Sequence, residues 1–549
     1  MRIDTIIHNA RITTLDPERP TARAIGVFAG RIVGLDEELD GIDADERIDL
    51  GGAPVFPGFH DAHLHFSLLG QKLLKLDLSY DACPSLDAVY DAVQRAVSTT
   101  EVGEWILGWG YDQNKIGAHP TLEVLDRIAP QHPVYLNHTS GHMSVANTAA
   151  LLRVGADPDA LPEVPGGNIG RRGDGRPTGL LQENAQAIVS RVLLPVTLEQ
   201  HRLGSKLASA WCVEHGLTSI TEPGVGDVGS IGTSPVEIRG YQDGVDAGDI
   251  DVRLSVMPYV TTLHDLGSVT GGERWHGLDL GMRSGFGDER LRLAGVKILS
   301  DGSLIGRTAA MCCEFDDAPG NSGFLLWDEP ELDELIVQAH RNGWQVATHA
   351  IGDRALDRCL DAFDRARREH PRHDPRHRIE HCAVSRPDQI DRIVDLGVIP
   401  DPQGRFISET GDGLLSAVGP ERADFVYRMR TWVDRGIELP GSTDAPVVGG
   451  DPILSLHDMV NRRTSSGATL GPAEALTAAQ ALRAYTVGSA HAAHEDRWKG
   501  SLARGKVADL VAVSDDLLAV APERIDAVTV GATIIGGRLV HDGGAVRER

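Results

Sequence analysis

Apolar residues fall in short bursts at both ends of this chain and in a strand-then-helix alternation between them. The first ~55 residues read as short strands in "TIIHNARITTLD", "ARAIGVFAGRIVGLD" and "ERIDLGGAPVFPG", where turn residues separate apolar clusters. The C-terminal stretches "KVADLVAVSDD" and "DAVTVGATIIGGRLV" repeat that texture. Between them, seven segments look like buried strands that end in polar residues and lead into helical material. They are 216–224, 249–260, 291–303, 343–355, 377–384, 397–404 and 437–446. "FHDAHLHF" makes an eighth. One following helix is explicit: after Asp353, a plausible N-cap, Leu356, Cys359, Leu360 and Phe363 keep the i, i+3, i+4, i+7 spacing. Eight such units predict an α/β chain folded as a (β/α)8 TIM barrel, in which chemistry sits at the C-terminal ends of the strands. The interval from ~72 to ~200 is too long for one strand-to-helix connection. It reads as a domain inserted after the first strand, placed to cover the barrel mouth.

"PGFHDAHLHF", residues 57–66, holds three histidines and an aspartate. Pro57-Gly58 is a turn from which a strand can begin. Alternation in that strand puts Asp61, His63 and His65 on one face and His60 on the other. Two imidazoles on one face are close enough to share a metal ion. His60, facing away, is packing or support. Alone, such a pair reads better as satisfied core histidines. The other strand ends change the balance: Lys297 in "GVKILSDGS", His349 in "ATHAIGD", His381 in "RIEHC" and Asp444 in "GSTDAP" would converge on one barrel axis.

Composition narrows the class. The 549 residues are 41% hydrophobic and 24% charged, as in ordinary soluble proteins, and two or three domains are expected. Lys and Arg total 53 against 79 Asp and Glu, a net charge of −26, which disfavours nucleic acid and anionic membrane as partners. No secretory signal and no bilayer-spanning apolar run is read, so a cytoplasmic location is expected. The six cysteines are scattered without a CxxC and read as reduced thiols.

At this point the chain resembles the amidohydrolase superfamily of metal-dependent hydrolases, and within it the branch that includes N-substituted formamide deformylase. The motifs are "PGFHDAHLH", "GWGYDQN", "PTGLLQE", "VKILSDGSLIGRTAA", "HAIGDRA", "RIEH", "TDAPV" and "GSLARGKVADLV", spread over almost the whole chain. The resemblance implies that His63 and His65 bind one metal and His349 and His381 a second. It implies that Lys297 is carboxylated and bridges them, and that Asp444 ligates metal and handles the proton. One or two divalent ions, Zn²⁺ first, fit neutral imidazoles. A lysine near cations and burial loses its proton more easily, which carboxylation requires; an ion-paired Lys297 beside a mononuclear site is the alternative. The two β ends are implied to form one composite β-sandwich domain, residues 1–56 and 497–549. The barrel then takes 57–71 and 201–496, and the insertion 72–200. A homodimer is a family-level expectation.

The expected chemistry is attack of metal-activated hydroxide on a carbon–nitrogen bond other than a peptide bond, in a small N-substituted amide or formamide. Alternatives keep the machinery for a lactone, carbamate, urea or amidine, or make the chain a non-catalytic metal-binding scaffold. Lesser candidates each carry a structural reading beside the functional one. Asp61 orients a ligand histidine or serves a turn. Asp353 caps a helix. Asp301 and Arg307 contact substrate or form a surface ion pair. Glu222 faces the site from the second strand. Trp109, Tyr111, His142 and Asn147 line a pocket or fill a core, and Cys382 is packing. Two departures from related sequences are Asp401 in "PDPQG" and Thr443 before Asp444. The first is read as bearing on substrate contacts.

Overall fold

The computed structural model describes residues 2–139, 143–164, 167–228, 231–268 and 274–547. The chain has a mixed α/β fold and divides into two compact units. The larger comprises Met1–Phe66, Ala208–Gly232 and Val236–Arg549; the smaller comprises Ser67–Leu207 and Thr233–Pro235. No helix among the described residues is long and apolar enough to cross a membrane.

In the larger unit one sheet draws on both ends of the sequence. Its order is Arg538–Asp542, Val530–Ile535, Leu510–Val513, Pro54–Pro57, Arg11–Thr13 and Thr21–Ala22, with Val511 opposite Phe56. A four-stranded sheet, ordered Arg31–Leu35, Ile25–Phe28, Arg2–His8 and Asp43–Asp49, shares its core. Ile7, Ile25, Val27 and Ile48 of the second sheet pack with Ile12, Val55, Leu510 and Ile534 of the first. Each such side chain contributes about 1.5–3 kcal/mol when fully buried.

The same unit holds two sheets of parallel strands. One runs Leu291–Leu293, Arg253–Pro258, Leu217–Val225, Phe59–Asp61; the other runs Gly295–Leu299, Gln345–Ala350, Arg378–His381, Ile399–Asp401. Leu217–Val225 and Arg253–Pro258 are buried at every residue, although Thr218, Ser219, Thr221, Glu222, Arg253 and Ser255 are polar. A parallel bridge between Tyr259 and Lys297 links the sheets, and another joins Gln403 to Ser442. The Gly441 carbonyl accepts from Ala62 N–H at 2.9 Å, and the His63 carbonyl from Asp444 N–H at 2.7 Å. Helices follow the strands, among them Glu329–Arg341, Asp353–Glu369 and Pro387–Leu396. Gly58 is needed for a close approach: a Cβ there would lie 2.3 Å from the Thr218 side chain.

Several predicted elements are shorter than the sequence suggests. The first strand stops at Asp61, so His63 and His65 lie beyond it and strand alternation does not place them. The 291–303 segment breaks at Ala294 into two strands belonging to different sheets. The 437–446 segment keeps only the Ser442 bridge. Asp353 is the first residue of its helix and Gly352 the cap; the Asp353 carboxylate instead accepts from Cys312 N–H and pairs with Arg386. Leu356, Cys359, Leu360 and Phe363 are buried along that helix, as its spacing predicts.

The smaller unit has a six-stranded sheet ordered Gly167–Arg171, Pro177–Glu183, Met143–Ala146, Val134–His138, Ile106–Tyr111 and Leu76–Asp77. One core sets Leu78, Val89, Val93 and Leu125 against Ile106, Leu136 and Val145. A second gathers Tyr135, Ala150, Leu151 and Leu181.

Candidate metal centre

Four histidines, one lysine and one aspartate meet where the parallel strands of the larger unit end. The His63 ring centroid lies 5.5 Å from that of His65 and 5.0 Å from that of His381, and His381 is 4.6 Å from His349. Lys297 Nζ is 3.5 Å from His63 Nε2. Asp444 Oδ1 lies 3.1 Å from His65 Nε2 and 3.4 Å from His63 Nε2. All six residues are buried or nearly so.

Hydrogen bonds set which ring nitrogen is left to face a ligand. His63 Nδ1–H donates to Glu380, leaving Nε2. His349 Nε2–H donates to the Gly302 carbonyl at 3.0 Å, leaving Nδ1. His381 Nδ1–H donates to Gln403 Oε1 at 2.8 Å, leaving Nε2. Gln403 is held in turn: its amide donates to the Asp401 carbonyl at 2.7 Å and to Ser442 Oγ at 3.2 Å. Such outer partners fix tautomer and ring angle.

The electrostatics suit a cation. Burial lowers the His65, His349 and His381 imidazoles, His349 to about 3, so they are neutral and keep a lone pair. Burial and Lys297 oppose protonation of His63, but the Glu380 and Asp444 carboxylates outweigh them and raise it. Burial pushes Lys297 down to about 8, a poised amine rather than a fixed cation. Burial favours a neutral Asp444, yet the adjoining His63 and His65 imidazoles hold its carboxyl well below the usual range. Asp444 Oδ1 accepts no hydrogen bond in good geometry among the described residues. A buried carboxylate oxygen without such a bond, set among imidazole nitrogens, is a costly arrangement that a bound cation would satisfy. His63, His65 and Asp444 bring their ligand atoms within 4.8 Å of one another. The donor set therefore fits a divalent metal. His381 and Asp444 also hold positive φ, 69° and 68°, a strained backbone that tends to collect at functional sites.

Around this centre lies a buried charge cluster. Arg378 donates to Glu380 Oε1 at 2.7 Å and Oε2 at 2.8 Å, to the Ala62 carbonyl at 2.9 Å, and to Asp401. Burial works against an ionised Glu380, but Arg378 and His63 keep it well below the ordinary carboxylate range. Asp61 accepts from His63 N–H at 2.9 Å and from Thr443 Oγ1 at 2.6 Å, tying the segment that bears His63 to the one that bears Asp444.

The sequence profile of the amidohydrolase family matches residues 46–541. The chain belongs to the amidohydrolase family. It is 29% identical over 549 residues to the putative amidohydrolase YtcJ of Bacillus subtilis, covering 98% of this chain and 99% of that one. It is 30% identical over 561 residues to the N-substituted formamide deformylase of Arthrobacter pascens, covering 98% of each. A solved structure of an uncharacterized metal-dependent hydrolase from Pyrococcus horikoshii superposes with a TM-score of 0.75 at 27% identity, covering 94% of this chain and 99% of that one. These likenesses make the chain a hydrolytic enzyme of the metal-dependent amidohydrolase superfamily, a family that acts on small molecules.

The remaining candidates of this amidohydrolase have other tasks. Asp301 is not on the surface, and its Oδ1 lies 3.4 Å from His349 Nε2. It is buried, and its carboxylate accepts from the N–H groups of Ala310 (2.9 Å), Ile351 (3.1 Å) and Gly352 (2.8 Å). Arg307 pairs with Asp317, Nε to Oδ1 at 2.7 Å. Glu222 is buried and accepts from Tyr241 Oη at 2.9 Å. In the smaller unit Tyr111 is core and bonds His119 at 3.1 Å, while half-buried Trp109 has Lys75 over its ring at 5.2 Å. Asn147 caps the helix Thr148–Arg153 and uses both amide atoms on backbone partners. His142 lies outside the described residues. Cys382 is buried packing. His60 bonds Thr221 at 3.0 Å. Asp401 is buried in the Arg378 clamp, a structural task in place of the expected substrate contact.

Proposed function

We propose that this amidohydrolase hydrolyses a carbon–nitrogen bond other than a peptide bond in a small N-substituted amide or formamide. The reading includes a (β/α)8 barrel and a centre of one or two divalent ions, Zn²⁺ first. His63, His65, His349, His381, Asp444 and a carboxylated Lys297 would hold it. The observation that carries the reading is the set of imidazole lone pairs, freed by fixed partners, gathered around the Asp444 oxygen.

When bound, the metal lowers the pKa of a coordinated water and polarises the substrate carbonyl. The protein supplies the rest. Glu380, Gln403 and Gly302 hold three imidazoles so that their lone pairs do not wander. Asp444, ionised and with one oxygen free of hydrogen bonds, takes the proton of the attacking water and returns it to the leaving nitrogen. Burial excludes bulk water and strengthens each charge interaction. Likeness to a formamide deformylase over nearly the full length supports the amide side of the reading.

The test is a panel of N-alkyl and N-aryl formamides, simple amides, lactones and amidines, with release of amine and acid as the readout. Formamides turning over with the highest kcat/KM is the expected result. Preference for lactones or amidines would move the assignment to another bond. In the metal-loaded, folded protein, Asp444→Asn should lower kcat by at least ~10³-fold if the carboxylate is the proton carrier; unchanged kcat removes it from that role.

A further inference from the structure

Six cysteines are free, but only two are exposed, and those two are neighbours in the chain. Cys312 and Cys313 sit between the Gly295–Leu299 strand and the helix Glu329–Arg341. Their Sγ atoms are 3.3 Å apart. Adjacent Cα atoms are separated by about 3.8 Å, short of the roughly 4.4–6.8 Å that a disulfide usually spans, so closure to a disulfide needs distortion. The sulfur separation instead matches the chord between two bonds of about 2.3 Å meeting near a right angle at one soft atom. The backbone beneath the pair is anchored: Cys312 N–H donates to Asp353 Oδ1 at 2.8 Å, and Ala310 N–H donates to Asp301.

We infer that Cys312 and Cys313 form a vicinal dithiol that chelates a trivalent arsenical through both sulfurs. The reaction balances without an oxidant. An organoarsenic(III) oxide condenses with the two thiols, two As–S bonds form, two S–H bonds break, and the arsenic oxygen leaves as water with both thiol protons. Thiol chemistry also separates this ligand from a divalent cation. Burial and the Asp353 carboxylate push the Cys312 thiol up to about 12, which disfavours the thiolate that a cation requires. Condensation starts from the neutral thiol.

Phenylarsine oxide is the probe, used on the full-length native protein. An organomercurial such as p-hydroxymercuribenzoate, which binds a thiol without a large thiolate fraction, should count two accessible thiols in the native state and six in denaturant. One equivalent of phenylarsine oxide per chain should remove both native thiols, and 2,3-dimercaptopropanol should restore them where an equal concentration of monothiol does not. Cys312→Ser and Cys313→Ser each leave one exposed thiol, and each should weaken arsenical binding by roughly tenfold or more, because the second bond no longer forms at high effective concentration. Intact-mass measurement of the adduct gives a readout independent of thiol counting. A requirement for two equivalents, reversal by monothiol, or wild-type affinity in either serine variant would overturn the assignment. Fewer than two native reactive thiols would do the same.

Discussion

Glu380 shows how much of the centre rests on a residue that touches no substrate. Its carboxylate receives His63 Nδ1–H while both its oxygens are gripped by Arg378. Glu380→Gln keeps the shape but loses the charge that fixes the ring. Metal affinity, read by competition with a chromophoric chelator, is expected to fall about 10–100-fold. An unchanged affinity would mean that Asp444 and the neighbouring rings orient His63 unaided. A second buried pair sets a pH limit away from the centre. Val346 N–H donates to His377 Nδ1 at 3.0 Å, so His377 carries its proton on Nε2 and offers it to His340 Nδ1 at 2.7 Å. His340 Nε2–H then meets the His370 carbonyl at 2.7 Å. Both rings must be neutral. Burial holds His377 well below its ordinary value, and the unfolded chain protonates near ~6.5. The unfolded state therefore binds more protons as pH falls. The pair's contribution is full above ~6.5 and lost below it, at up to about 1.4 kcal/mol per pH unit for each ring. The urea midpoint should drop from pH 7 to pH 5.5 in the wild type and drop less in His377→Gln.

At the scale of elements, the sequence marks the parallel strands well, because each is short, ends in polar residues and leads into helical material. Gln345–Ala350 falls inside a segment read from pattern alone, and Leu217–Val225 overruns its segment, 216–224, by one residue. The histidine pair at 63 and 65 is also legible, but for a reason the structure does not use. The strand ends at Asp61, whose carboxylate bonds to His63 N–H and Thr443 Oγ1 hold the histidine segment in place. Glu380 stays hidden because it adjoins His381, and regular alternation sends neighbours to opposite faces. The positive φ of His381 and Cys382 breaks that alternation, and no residue-type pattern announces it. Asp301 is visible as a polar strand end, yet its task, gathering three backbone N–H groups, depends on a loop whose course the sequence does not disclose. That loop meets its helix at Gly352, where a Cβ would fall 2.0 Å from the Ala310 carbonyl oxygen. Gly352→Ala must push the two backbones apart. It should cost about 1–3 kcal/mol and loosen the Gly302 carbonyl that holds His349. A melting temperature and a metal affinity both equal to wild type would show that the contact relaxes freely.

For the whole molecule, the count of bound ions decides how the centre works. Six donors can serve one ion or two, and Lys297 is the member that distinguishes these states. As an ammonium it repels a cation and leaves a mononuclear site; as a carbamate it becomes an anionic ligand able to bridge a pair. Elemental analysis of protein purified without chelator should give about two equivalents per chain, falling toward one or none in Lys297→Ala. Dialysis against a strong chelator should then abolish turnover and lower the melting temperature, since an ion bound only by the folded state stabilises it in proportion to the logarithm of its concentration over Kd. Readdition should restore both. About one equivalent, unchanged in Lys297→Ala, would assign water activation to a single ion with Asp444 and leave Lys297 a structural amine. Turnover that survives complete metal removal would overturn the metal-dependent mechanism for this chain and leave the imidazole cluster to be explained by direct acid–base chemistry.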